Sequence, residues 1–248
     1  MIRDKLAGKN LGLDKYFRWR GGEISRIESF SDAVFAFAVT LLVVSLEVPK
    51  SFDELMAIVK GFLSFGICFT LLIVIWYKHY LYFRRYGINN KYVLVLNSIL
   101  LFVMIFYIYP LKFLFTLLIN SIFNLNSGSS GIVIYANQMS TLMIVYAIGF
   151  LLTFLIFFLL YIYAYGKRDE LELNHAEIIR TRSEINESII YMSVPLLSIV
   201  LAMIGPEGLL ALSGFIYFAL GPLLATNGII MGKKMSKSIQ SNDSDTAE

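Results

Sequence analysis

Charge is scarce in this chain. Asp, Glu, Lys and Arg make up 16% of its 248 residues, while 57% are hydrophobic and the mean hydropathy is +0.69; an ordinary soluble domain is about 25% charged. That balance excludes a soluble globular protein, and equally a disordered chain, which needs the opposite composition. Cysteine is nearly absent too. Cys68 is the single one, so no intrachain disulfide can form, and its neighbours Ile67 and Phe69 mark it as a small packed residue and not a redox centre or a metal ligand. The formal net charge of +3 is too small for a nucleic-acid footprint, so no nucleic-acid partner is expected. No His-Glu-x-x-His motif occurs. Ser31, Asp32 and His79 make a poor nucleophile set, because Ser31 and Asp32 are adjacent and diverge by about 100° on a helix. Neither an enzyme nor a bound cofactor is expected.

What the chain does have is long apolar runs. About 20 largely apolar residues are needed to cross about 30 Å of hydrocarbon, where no water satisfies the backbone. Six stretches qualify, at approximately 28–46, 56–77, 92–111, 138–165, 188–205 and 208–231. The polar cluster from Asn120 to Gly131 separates the third from the fourth as a loop. Of the 21 Lys and Arg, 18 fall in alternate segments on one side, which by the positive-inside rule predicts an all-α integral membrane protein with both termini cytoplasmic. The organisation expected is a cytoplasmic segment over 1–25, a six-helix domain over 26–232 and a disordered cytoplasmic tail over 233–248. The charged stretch 166–187 reads as a solvated helix face, with Ile178 and Ile179 compatible with a helix that continues the fifth span.

Charged groups inside a span are costly and persist where they face a protein interior or a water path. Here they gather at the start of the first span, Arg26-Ile27-Glu28-Ser29-Phe30-Ser31-Asp32. At about 100° per residue, Phe30, Ala33, Phe37, Thr40, Leu41 and Val44 share one stripe, and Asp32 points about 120° away from its centre. Asp32 therefore needs partners on neighbouring helices. His79 in the second span and Asn97 in the third are the polar candidates at similar depth, with Trp76 on the same helix face as His79.

Arg26-x-x-x-Phe30-Ser31-Asp32 in the first span, Trp76-x-x-His79 in the second and Asn97 with Pro110 in the third resemble the transmembrane protein 175 family. Its members are lysosomal potassium channels in animals, with shorter prokaryotic relatives. The animal members resemble two fused six-helix repeats and this chain has one, so the resemblance implies a prokaryotic homotetramer in the plasma membrane. It further implies a leak-type potassium channel whose first helices line the pore. In that reading Phe37 is the bottleneck, Thr40 a hydroxyl layer, and Leu41 and Val44 apolar rings beyond it. Arg26, Ser31, Asp32, Trp76, His79 and Asn97 form a structural polar network. Phe37 departs from the aliphatic residue expected at the bottleneck, and Ala36 lacks the hydroxyl found in some relatives.

The expected partners are the bilayer, further copies of the chain and monovalent cations, with no metal beyond permeating potassium. The usual Thr-Val-Gly-Tyr-Gly filter is absent, as is a voltage sensor's regular Arg repeat. Glu47, Asp53 and Glu54 would concentrate cations at the outer mouth. The alternative is a proton-coupled secondary transporter using Asp32 and His79 as a titrating relay.

Overall fold

The computed structural model describes residues 17–44, 49–122, 136–204 and 212–245. Six long helices account for most of them: α1 (Arg26–Val44), α2 (Phe52–Tyr86), α3 (Lys91–Ile122), α4 (Ala136–Gly166), α5 (His175–Ile204) and α6 (Leu220–Asp245). A helical turn at 212–215 and a 3-10 turn at Ile216–Ala219 lead into α6. The chain is thus an all-helical, multi-pass membrane protein. Five of the six helical regions hold a stretch long and apolar enough to cross a bilayer. The sixth, α1, has 19 residues, among them Arg26, Glu28 and Asp32.

The helix starts follow from local chemistry. Ser25 and Glu28 form a capping box: Ser25 N–H donates to Glu28 Oε1 at 2.9 Å and Glu28 N–H to Ser25 Oγ at 3.2 Å. Glu28 is therefore committed to the start of α1, and its charge also complements the positive end of that helix. Asn174 and Glu177 repeat the arrangement at α5, at 3.0 and 2.9 Å. At α3, Asn90 Oδ1 accepts the Val93 N–H at 3.0 Å.

Several boundaries differ from the apolar runs. At 1.5 Å per residue, the 35-residue α2 is about 50 Å long, longer than the hydrocarbon is thick, and its last turn carries Arg84 and Arg85. Helix α3 continues beyond Pro110 to Ile122, overrunning the first part of the expected Asn120–Gly131 loop, the remainder of which lies outside the described residues. Helix α5 begins at His175, ahead of the apolar run from 188, as the helical continuation expected at Ile178 and Ile179 requires. Helix α6 continues to Asp245, well into the 233–248 segment expected to be disordered; after Gly232 no Gly or Pro interrupts the run.

Packing is sequential. Helix α1 lies against α2 and α3, then α3 packs on α4, α4 on α5 and α5 on α6. The core holds Phe35, Ala38 and Leu42 of α1 with Leu72, Tyr82 and Phe83 of α2 and Leu100, Met104 and Ile108 of α3. Cys68 is buried among them, as its apolar neighbours predict. At the α3–α4 crossing Gly149 is required: a Cβ there would collide with the Tyr107 ring, whose hydroxyl donates to Tyr146 O at 2.9 Å. Further along α4, Phe154 stacks on Tyr191 of α5 with ring centroids 3.9 Å apart. Helix α6 is the least covered. Open space faces Gly221 and Gly228, and its buried Asn227 Nδ2 donates to Ser183 Oγ at 3.3 Å.

Candidate functional site

Helix α1 has one packed face and one open face. Ser31, Phe35, Ala38 and Leu42 are buried against α2 and α3, with Val34, Val39 and Leu41 partly covered. Phe30, Ala33, Ala36, Phe37 and Thr40 are exposed, Phe30 at 64% and Phe37 at 54%. The stripe read from periodicity is thus open at Phe30, Ala33, Phe37 and Thr40. Leu41 turns toward the packed side, and the side chain of Val44 lies outside the described residues. The centre of the open face sits some 40° round the helix toward Ala36 and Ala33, given about 100° per residue.

Thr40 Oγ1 donates to Phe37 O at 2.7 Å. With its single proton committed to its own backbone, the hydroxyl presents oxygen lone pairs outward and acts there as an acceptor. An acceptor on an open, otherwise apolar helix face is a group that can replace one water of a cation's shell.

The three residues Phe30-Ser31-Asp32 point three ways. Phe30 faces outward. Ser31 faces inward and is fully buried, and Asn97 Nδ2 donates to its Oγ at 2.8 Å. Ser31 Oγ in turn donates to Ile27 O at 2.8 Å. Asn97 Oδ1 lies 2.9 Å from His79 Nε2, and since the Asn97 amide nitrogen is already donating, the proton of this bond must come from His79. The chain of bonds therefore places a proton on His79 Nε2. Its Nδ1 has no hydrogen-bond partner among the described residues, and the ring packs between Phe35 and Phe83.

Asp32 does not join this chain. It is exposed, and Trp76 Nε1 donates to its Oδ1 at 2.8 Å. His79 and Asn97, the partners expected for it, serve Ser31 instead, because Asp32 sits about 100° further round the helix. Arg26 is exposed, and no hydrogen bond joins it to the cluster among the described residues. The sequence thus names six polar residues of which five form two separate bonds sets. An Asp32–His79 proton relay is not formed: the bond from Trp76 is a donor-only indole N–H, which cannot pass a proton on.

A second polar cluster was not legible. Glu184 of α5 is 3% exposed at its side chain and meets Arg85 at 2.8 Å, Lys78 at 3.2 Å and Arg180 at 3.2 Å. Lys78 also reaches Glu187 at 3.0 Å. Nearby, Arg20 pairs with Glu177 at 2.6 Å and donates to Leu171 O at 2.7 Å. The Arg20 and Gly21 amides both donate to Arg84 O at 3.1 Å. There Gly87, at φ 62° and pressed against Arg20 O, admits the chain only because it lacks a Cβ. The expected solvated face over 166–187 is therefore corrected at Glu177 and Glu184, which are buried ion-pair partners. Apart from Arg180, which precedes Glu184 by one helical turn, their cations lie 99 to 157 residues away, so only the surplus of both signs at the same membrane side hinted at pairing. Glu47 lies outside the described residues, as do the side chains of Asp53 and Glu54. Among the described residues no group of His, Cys, Asp and Glu is arranged to hold a metal ion.

Comparison with known proteins bears on the same elements. The family model of the endosomal/lysosomal potassium channel TMEM175 matches residues 26–107, which carry α1, α2 and half of α3. A potassium channel of Marivirga tractuosa is 42% identical over 238 residues, 93% of this chain and 96% of its own length. A potassium channel of Chamaesiphon minutus is 31% identical over 106 residues, 40% of this chain and 52% of that protein. Among solved structures, a variant of the potassium channel MtTMEM175 in complex with a nanobody–MBP fusion protein superimposes with a TM-score of 0.79 at 40% identity, covering 90% of this chain and 100% of that one.

Proposed function

The chain belongs to the TMEM175 family and is a potassium channel, and from that premise we propose that four copies assemble with their α1 helices around one axis. The setting proposed is a prokaryotic plasma membrane, and the activity a leak-type potassium conductance. The observation that carries the reading is the division of α1: one face is packed into α2 and α3, and the other, Phe30, Ala33, Phe37 and Thr40, is left open by its own chain. A single open face per chain supplies one wall of a pore, and closure needs symmetry-related copies.

In this arrangement four Phe37 rings form the narrowest apolar constriction, while Leu41, expected to continue it, packs on the core side of α1. A hydrophobic constriction gates by dewetting. The Thr40 hydroxyls, held as acceptors by their bond to Phe37 O, offer oxygen to an ion that has lost part of its shell. Potassium surrenders water more readily than sodium, so an apolar passage with few acceptors favours it. The buried Ser31–Asn97–His79 chain and the Asp32–Trp76 bond are structural: they lock α1 to α2 and α3 at the register that turns Thr40 outward.

The test is a reversal-potential measurement in liposomes under opposed potassium and sodium gradients. Phe37→Ala should raise conductance and weaken discrimination, and Thr40→Val should lower potassium preference while leaving assembly intact. Val39→Ala, on the partly covered face, should change permeation little. Equal effects from Val39→Ala and Phe37→Ala would reject the assignment of the face. A monomer by light scattering in mild detergent would reject the tetramer.

A further inference from the structure

Between α2 and α5 lies a cleft of about 320 Å³, at the small end of ligand-sized cavities, about 300–1,000 Å³. Its α2 wall is one helical stripe running from Ile73 through Tyr77 to Leu81, and its α5 wall is a second, Arg180, Glu184 and Glu187. The two ends of the cleft differ in chemistry. Ile73 and Val74 are exposed apolar side chains within the span. The apolar run of α2 closes at Tyr77, so Lys78, Arg180 and Glu187 stand where hydrocarbon gives way to headgroups.

Charge does not balance there. Glu184 and Glu187 bring two carboxylates, whereas Lys78, Arg85 and Arg180 bring three cations, which leaves one positive charge in excess. Of the three, Arg180 has capacity to spare. Lys78 holds both carboxylates and lies over the Tyr191 ring at 5.7 Å, and Arg85 is buried. The side chain of Arg180 is 38% exposed, and its one ion-pair contact among the described residues is to Glu184 Oε1, an oxygen that Arg85 already shares. Its Nε has no hydrogen-bond partner among the described residues. An arginine so placed presents most of a guanidinium fork, whose planar donors match a phosphate bidentately. A surplus cation at the edge of a low-dielectric region is unfavourable, and an anion of one charge cancels it.

We propose that this cleft binds an anionic phospholipid from the leaflet at that end of the bundle. Arg180 anchors the phosphate, the single negative charge completes the balance, and an acyl chain lies along Ile73 and Val74. A basic niche between membrane helices is the arrangement that recognises such headgroups. A free phosphate ion would satisfy Arg180 and leave the apolar wall unused; a zwitterionic lipid would use the wall and leave the surplus charge. The site involves α2 and α5 alone, so it does not rest on the pore reading of α1.

The test takes the temperature at which half of the full-length, detergent-solubilised protein keeps its native size-exclusion peak. It is measured with mixed micelles of phosphatidylglycerol, with those of phosphatidylcholine, and with inorganic phosphate at equal phosphorus content. Phosphatidylglycerol should raise it by about 4 °C or more, and the other two by less than half as much. Arg180→Gln removes the surplus charge and the fork while Glu184 keeps Lys78 and Arg85. It should abolish the phosphatidylglycerol gain and leave the lipid-free temperature within about 2 °C of the parent. Arg182→Gln is the control, the same change of charge about 200° round the same helix, where the side chain donates to Tyr165 Oη; it should keep the gain. Val74→Trp fills the apolar end at constant charge and should at least halve the gain, a full gain there refuting the acyl contact. A phosphatidylcholine gain equal to that of phosphatidylglycerol removes the role of charge, and an equal phosphate gain removes the lipid. Arg182→Gln as impaired as Arg180→Gln means a diffuse field and not a site. Each of these overturns the proposal. So does Arg180→Gln with the parent's gain, or with a changed mass by light scattering, since the cleft would then be a contact between copies. Should Arg180→Gln fail to fold, Arg180→Lys takes its place: it keeps the charge, loses the fork and should lose at least half of the gain, and the full gain would refute the anchor.

Discussion

Replacing Asn97 by Leu removes the middle of a three-residue chain while keeping volume and an apolar shape. Asn97 is 1% exposed, as is His79, so nothing outside the protein replaces the lost amide. The two ends fare differently. Ser31 Oγ still donates to Ile27 O at 2.8 Å and is left satisfied, whereas His79 Nε2–H, 2.9 Å from Asn97 Oδ1, loses its acceptor. One orphaned buried donor costs about 1–3 kcal/mol, or roughly 5- to 150-fold in the folded-to-unfolded ratio. Hydrogen bonds between membrane helices average about 0.6 kcal/mol, which sets the low end. The cost comes from the orphan and not from the missing bond, so removing the orphan should recover it: Asn97→Leu with His79→Phe replaces both partners by apolar groups. The assay is size-exclusion of heated detergent-solubilised protein, taking the temperature at which half the oligomer survives. Asn97→Leu should lower it clearly, and the double variant should regain most of the loss. A double variant less stable than Asn97→Leu would refute the reasoning, because His79 would then contribute something other than a stranded proton.

The same assay checks the cytoplasmic ion pairs. Glu184→Gln removes the carboxylate charge that Arg85, 2% exposed at its side chain, meets at 2.8 Å and should cost about 3–5 kcal/mol, whereas Glu187→Gln, at a side chain 20% exposed, should cost well under half of that. Gly149→Ala should reduce the yield of folded protein, since the new methyl meets the Tyr107 ring and overpacking costs about 1–3 kcal/mol; Gly221→Ala, facing open space, should express like the parent. Asp32→Asn keeps an acceptor for Trp76 Nε1 and should leave both assembly and the pH dependence of flux unchanged in a liposome assay. A proton-dependent flux lost in that variant would favour a transporter.

Why some of this was readable and some not comes down to range. The apolar runs and the stripe on α1 are periodic over neighbouring residues, so Phe37 and Thr40 could be placed on one face before any packing was known. Ser31, Asn97 and His79 were nameable as polar residues inside spans, but which of them bonds which depends on crossing geometry. Asp32 was given the partners of Ser31 for that reason. The cluster around Glu184 was missed because two of its three cations, Lys78 and Arg85, come from α2, and a carboxylate that follows Arg180 and Arg182 on its own helix looks like any solvated helix face until a second helix covers it. The continuation of α6 to Asp245 was hidden by a polar composition that suits a disordered segment as well as an exposed helix.

The capping and anchoring of α1 also set an order of events in biosynthesis. Ser31 receives its bond from a residue 66 positions later, Asp32 from one 44 positions later, and Leu42 O from Lys112, 70 positions later. At about 5–20 residues per second, the Asn97 amide leaves the ribosome roughly 3–13 s after Ser31. During that interval α1, which carries Arg26, Glu28 and Asp32 within 19 residues, has none of the three partners that make it comfortable in lipid. The first of these six helices to be made is therefore secured only after the second and third have followed it. Its stay in the translocon is prolonged until α2 and α3 arrive, so defects in Trp76, Asn97 or Lys112 act first on insertion efficiency and only afterwards on conduction.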